Sequence, residues 1–182
     1  TFEEIFALYE FDKNLKVIFL KYVLEIETVI KSLIANTIAE KYGIENYLEI
    51  NCFDVNARSK EIKVKEFIHQ IVEEIKKSYG KHPAITHYVD KYGFVPPFVL
   101  VKILTLGEIS RYYMWLKQSD RQKISKYFKL SDKVLSQILF NLSLARNHSA
   151  HNNKLYTFHS RFLMSLNQID NKYQVKDKSP NF

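Results

Sequence analysis

The chain has 182 residues, of which 46% are hydrophobic, including 13 Phe and 12 Tyr, enough to pack the core of one domain. Lys and Arg outnumber Asp and Glu by 27 to 20, for a net charge of +7 and an isoelectric point near 9.3. That balance suits a polyanionic partner such as RNA, DNA or an anionic surface, and a basic solvated surface accounts for it equally well.

With only 4 Gly and 4 Pro, tight turns are scarce, which favours long helices over a many-stranded sheet. The single Cys52 excludes an intrachain disulfide framework and a cysteine-built zinc site, and points to a reducing cytoplasm. No apolar run approaches the roughly 18–20 residues of a membrane-spanning helix, and no secretory leader is visible. The chain opens at Thr1 without a methionine, as a chain lacking upstream residues would.

Helical periodicity is read from the first residues onward. Residues 1–10 read as a short helix with Phe2, Ile5, Phe6 and Tyr9 on one stripe, and Asp12 is placed to cap a longer helix over 13–42. That helix carries Leu15, Ile18, Phe19, Tyr22, Ile26, Val29, Ile30, Leu33 and Ile38 in helical phase and would be about 45 Å long. Its Glu25 and Glu27 read as solvated, and Gly43 as a left-handed C-cap. Residues 44–59 read as irregular. A second helix follows over 60–79, ended by Gly80; its Lys63, Lys65, Lys76 and Lys77 could meet phosphates or simply face water.

Pro83 opens a short helix closed by Gly93. His82 and His87 are five apart, on different faces, which does not make a metal pair. Val95-Pro96-Pro97-Phe98 is the sharpest boundary and launches a helix over 98–117, in which Gly107 allows close helix contact. Asp120 is placed to cap a short helix to Phe128, and Ser131 the helix that follows. A last helix is expected over 158–169 and a loose tail over 171–182. The expected architecture is all-α: a compact multi-helix bundle with one long helix in its N-terminal half.

Chemistry concentrates at the end of the Ser131-capped helix, where Arg146, Asn147, His148 and His151 fall within six positions before Asn152-Asn153. Histidine is the one side chain whose ordinary pKa lies near neutrality, and arginine grips phosphate in a planar fork. In cleavage of an RNA phosphodiester, the 2′-hydroxyl loses a proton, the leaving 5′-oxygen gains one, and the charged phosphorane needs a clamp. Histidine and arginine supply these functions without a metal. Arg146 and His151 lie five residues apart, about 140° round an ideal helix. They converge if the helix ends near Ser149 with His151 on the turn, or if two copies of the chain face each other. The plainer alternative pairs Arg146 with a carboxylate and leaves His151 on the surface. The spacing of His148, His151 and His159 matches no standard zinc pattern. Lys154, Tyr156 and Arg161 then mix basic and aromatic groups, as single-stranded RNA binding requires.

Arg146-Asn147-His148-Ser149-Ala150-His151 resembles the R-N-x3-H form of the HEPN superfamily motif. More widely, the chain resembles the Abi-like abortive-infection proteins of the AbiD/AbiF type. The resemblance rests on Leu8-Tyr9-Glu10-Phe11-Asp12 leading into Leu15, Ile26-Glu27, Lys41-Tyr42-Gly43, Pro97, and Gly107-Glu108-Ile109-Ser110 before Tyr113.

The resemblance implies one HEPN-like helical domain over 1–182, acting as a dimeric, metal-independent, cofactor-free endoribonuclease in the cytoplasm, in the manner of toxin–antitoxin nucleases. By that analogy Arg146 contacts the scissile phosphate, His151 transfers protons, and Asn147 orients one of them. His148 supports the site, and His148, Lys154 and Arg161 are candidate RNA contacts. A structured small RNA is an implied partner. Two other readings remain open on sequence alone: a non-catalytic RNA-binding module, and a helical scaffold with no affinity for RNA.

Overall fold

The structure, a computed structural model, describes residues 1–151 and 153–159. It is all-α. Among the described residues, seven α-helices and two short 3-10 turns occur, with no strand beyond an isolated bridge between Phe53 and Leu116. The helices are α1 (Phe2–Tyr42), α2 (Arg58–Ser78), α3 (Pro83–Tyr92), α4 (Pro97–Ile103), α5 (Leu106–Trp115), α6 (Gln118–Tyr127) and α7 (Asp132–Ala150). The 3-10 turns are Ile50–Cys52 and Leu155–Thr157. No described helix is long and apolar enough to cross a membrane. The helix expected over 158–169 and the expected tail lie outside the described residues, apart from Phe158 and His159, which are not helical.

Two expected helices are one. α1 runs unbroken for 41 residues, about 60 Å, straight through the expected boundary at Asp12. Asp12 caps nothing in α1; its carboxylate is buried and engaged elsewhere. Only the second half of α1 is a core helix: Val23, Ile30, Ile34, Ala35 and Ile38 are buried there, and α1 packs mainly against α4 and α6. Between Phe2 and Tyr22 nothing but Asp12 is buried, so Ile18 and Tyr22, expected in the core, face outward. Glu27 corrects the reading in the other direction. It is mostly buried and paired with Lys31 at 2.7 Å, whereas Glu25 is exposed as expected.

The core is filled by Phe53, Phe67 and Tyr112, whose ring centroids lie 5.6–6.3 Å apart. Tyr47 joins them and donates its hydroxyl to the Val95 carbonyl at 2.6 Å. Cys52 is buried beside this cluster, and burial pushes its thiol pKa up, away from the reactive thiolate. Lys65, Lys76 and Lys77 of α2 each pair with a glutamate three or four residues earlier, which is the solvated-face reading.

The helix expected over 98–117 is two helices. Leu104 and Thr105 are extended, and the Thr105 hydroxyl and Glu108 carboxylate form a reciprocal capping box that starts α5 afresh. α6 begins before Asp120, which stands in its first turn and is buried. There it accepts from Lys41 and from the Tyr42 hydroxyl at 2.6 Å, tying the end of α1 to the start of α6. Burial, with this bond to Asp120, raises the Tyr42 pKa well above that of a free phenol.

Arg121 joins the next corner. Its guanidinium donates to the Met114 and Leu116 carbonyls at the end of α5 and reaches Asp132 at 3.4 Å. Ser131 caps α7 as expected, accepting from the Val134 amide at 3.3 Å. These polar joints set the direction in which α7 leaves the core, and α7 carries the candidate site.

Gly43 stops α1 but is not left-handed. Its φ of 81° and ψ of −177° belong to a region almost closed to residues with a Cβ. Gly107 mediates no close helix contact, since a Cβ there would meet only Thr105 Oγ1, at 3.9 Å. Gly43→Ala should therefore cost about 1–3 kcal/mol, all of it backbone strain, because a Cβ there meets nothing within 4 Å. Gly107→Ala should be neutral or stabilising by up to about 1 kcal/mol. Thermal unfolding of the two variants, with a lower Tm for the first alone, checks both.

Candidate functional site

α7 packs chiefly on α5, with Leu135, Leu139, Ala145 and Ser149 among its buried residues. Ser149 returns its hydroxyl to the Ala145 carbonyl at 2.8 Å, so a polar residue sits in the core with its donor satisfied. On the opposite side, Phe140, Leu144, Asn147, His148 and His151 follow each other at helical spacing. They line an open depression of ≈ 480 Å³, completed by Asn153, Phe158 and His159. The helix ends at Ala150 and His151 is its C-cap, the Asn147 carbonyl accepting from the His151 amide at 3.1 Å. Of the two ways considered for Arg146 and His151 to converge, the turn is present.

The turn does not bring them together within one chain. Asn147, His148 and His151 share the depression, and Arg146 is not among its lining residues. Arg146 is half buried on α7, and on an ideal helix it would stand about 140° round from position 151. Its guanidinium makes no hydrogen bond or ion pair with any described residue, so the expected alternative of a pairing carboxylate is not found there. The His151 imidazole is exposed and likewise has no partner among the described residues.

His148 has a different place from His151. Its Nε2 lies 3.0 Å from the Lys154 carbonyl, and its ring stacks at a tilt on Phe158 with centroids 5.2 Å apart. The Asn153 amide donates to the His148 carbonyl at 3.3 Å. His148 thus folds the chain beyond the motif back onto α7. Lys154, expected near RNA with His148, does not line that depression but is among the residues lining a second one, of ≈ 270 Å³, with Lys16, Asp12, Tyr9 and Tyr156. Arg161 lies outside the described residues. No group of three His, Cys, Asp or Glu among the described residues is placed to hold a metal.

What the sequence did not disclose is the support beneath this turn. Asp12 Oδ1 accepts from the Leu155 amide at 2.7 Å and the Tyr156 amide at 3.1 Å. Its Oδ2 pairs with Lys16 at 2.6 Å. One buried carboxylate in the first half of α1 therefore anchors the segment that His148 grips from the other side. A signal was present: Asp12 falls in helical phase with Phe19, Val23 and Ile30, the core face, where a carboxylate needs partners. The hydrogen bond and charge of Lys16 and the two amides hold the Asp12 carboxyl pKa below its ordinary value, against the opposing effect of desolvation.

Because that pKa is depressed in the fold, the anchor is fully formed above the unfolded value of 3.8 and is lost as pH falls through the lower folded one. The Leu155 and Tyr156 amide resonances should titrate with a midpoint below 3.8, and NMR across the acid range checks it. In Asp12→Ala the same two amides should lose hydrogen-exchange protection at neutral pH, with α4 and α5 unchanged.

No curated protein and no solved structure matches the chain significantly. A family model described as Abi-like protein matches residues 1–157, which spans α1, the motif and the segment anchored by Asp12. The chain belongs to the Abi-like family.

Proposed function

We propose that this is an anti-phage abortive-infection protein acting in the cytoplasm as a metal-independent endoribonuclease of the HEPN type. Its site is built from Arg146 and His151 of two copies of the chain. The observation that carries the reading is the Arg146 guanidinium: half buried at the end of α7 and without an acceptor among the described residues. A permanently charged fork held in that state is matched by a phosphate, and a bound phosphodiester supplies the missing acceptors. The net charge of +7 favours the approach of RNA.

The separation of Arg146 and His151 round one helix is the reason for a second copy. Across a two-fold axis, one chain's His151 can stand on the nucleophile side of a phosphate and the other chain's on the leaving-group side. The first accepts the proton of the 2′-hydroxyl as the O2′–P bond forms. The second, protonated, gives its proton to O5′ as the P–O5′ bond breaks. Arg146 neutralises the charge that gathers on the non-bridging oxygens, and Asn147, one turn before His151, orients the imidazole or the phosphate. The products are a 2′,3′-cyclic phosphate and a 5′-hydroxyl. His148, with Nε2 engaged by the Lys154 carbonyl, shapes the turn.

A second reading has one observation in its favour. In a single chain, Arg146 and His151 do not line a common depression, which suits a module that binds a partner small RNA and cuts nothing.

Purified protein with end-labelled single-stranded RNA in EDTA separates the two. Wild type should cleave and leave cyclic phosphate ends, and Arg146→Ala or His151→Ala should each lower the rate by at least about 10²-fold. Lys154→Ala should weaken RNA binding and flatten its salt dependence while sparing the rate at saturation. RNA bound by all variants and cut by none would establish the binding module instead.

A further inference from the structure

Ile85 and Val89, four residues apart, turn one face of α3 to the core. Tyr88 and Tyr92, also four apart, stand on the neighbouring stripe, with centroids 5.4 Å apart and planes 33° from parallel. Gly93, left-handed at a φ of 76°, turns the chain so that Phe94 comes back onto Tyr92 at 6.2 Å. Phe98 of α4 meets Tyr88 edge-on at 5.8 Å. Rings gathered for packing alone would be buried, yet Tyr92 is 50% exposed and Phe98 45%. The ladder is continuous, and two of its rings are open to water.

Phe98 also lines a depression of ≈ 440 Å³ between α1 and α4, together with Thr28, Lys31, Ser32, Asn36 and Lys102. That volume lies in the range of small-ligand sites, about 300–1,000 Å³. The Thr28 and Ser32 hydroxyls donate to the Leu24 and Thr28 carbonyls, so both are left as acceptors. Lys31 is paired with Glu27 at 2.7 Å. The Asn36 amide and the Lys102 ammonium have no partner among the described residues. Lys91 lies over the Tyr92 ring at 5.2 Å. Charge here is nearly of one sign: residues 81–102 carry Lys81, Lys91 and Lys102 against Asp90 alone. Asp90 is itself engaged by the Tyr79 hydroxyl at 2.7 Å. A fitting occupant brings flat apolar faces, a polar edge and negative charge. Unpaired nucleotides bring all three.

We propose that the ring ladder of α3 and α4, with the depression between α1 and α4, is a binding site for single-stranded RNA, separate from the motif. Bases stack on the exposed rings of Tyr92 and Phe98. One base enters the depression, where the Asn36 amide offers the donor and acceptor that match adenine at N6 and N7. Lys91 and Lys102 take the phosphates. A duplex offers no free base face and is refused. Thr28, at the near end of the depression, stands 16 residues after Asp12, about 24 Å along α1. The site therefore lies well away from the turn that Asp12 holds. From the proposed function it takes only RNA as the partner; it needs neither cleavage nor a second copy.

The test uses the full chain and a fluorescent 2′-O-methyl oligoadenylate of about ten nucleotides. That strand lacks the 2′-hydroxyl nucleophile, so binding is read whether or not the protein cuts RNA. Wild type should bind it, and Tyr92→Ala and Phe98→Ala should each weaken binding about 5- to 150-fold. Their circular dichroism should be unchanged, because both rings are half exposed. Tyr92→Phe and Phe98→Trp keep a face to stack on and should bind as wild type does. Lys102→Ala should make the slope of log affinity against log salt shallower by about 0.7. Asn36→Ala should abolish a preference for oligoadenylate over oligouridylate. Ultraviolet crosslinking should map the strand to residues 88–98. The proposal is overturned by absence of binding, by alanine variants that bind as tightly as wild type, or by crosslinks confined to other helices. It is equally overturned if AMP or a duplex competes as well as the single strand. The proposed nuclease is judged by cleavage of ordinary RNA in EDTA, so either can fail while the other stands.

Discussion

A carboxylate taken out of water must find partners or give up its charge, and Asp12 is buried in a stretch of helix that buries nothing else. It keeps its charge by collecting a lysine from its own helix and two backbone amides from the far end of the described chain. The amides are satisfied at the same time, in a short turn with little regular structure of its own. Without this exchange the first half of α1 would have no buried polar contact, and the segment after the motif would lose the one side of its hold that His148 does not supply. The long helix and the candidate site are therefore tied to each other through a buried polar contact as well as by packing.

The rest of the bundle works by the same economy at helix corners. Asp120 gathers Lys41 and Tyr42, and Arg121 takes the carbonyls that end α5 while reaching the aspartate that begins α7. In a chain with few glycines and prolines, ends of helices are directed by long polar side chains acting across the gap. α7 acquires its orientation this way, so the position of Arg146 and His151 depends on residues well away from them.

Much of this was legible in the residue pattern. The all-α class, the opening at Pro83, the cap at Ser131 and the close at Gly93 follow from local chemistry that tertiary packing did not override. The errors have three causes. Asp12 and Asp120 look like caps by composition, but each was recruited by a residue distant in sequence, and no local pattern encodes that. Ile18 and Tyr22 keep helical phase with the core, yet phase identifies a face and not whether anything lies against it. The break at Leu104-Thr105 did carry a local mark, the Thr105–Glu108 pair, hidden inside an aliphatic run. The angular separation of Arg146 and His151 could be read from their spacing; that Arg146 is half buried and stays out of the depression lined by Asn147, His148 and His151 depends on where the helix packs.

The bond between Asp12 and the Leu155 amide closes a loop of 143 residues. A ribosome makes chain at about 5–20 residues per second and releases the N-terminal part first, so α1 is exposed for several seconds before its anchor has a partner. Throughout that interval the turn bearing His148 and His151 has no floor. A growing chain of this protein stays without its assembled candidate site until nearly all of α7 and the turn beyond it have emerged.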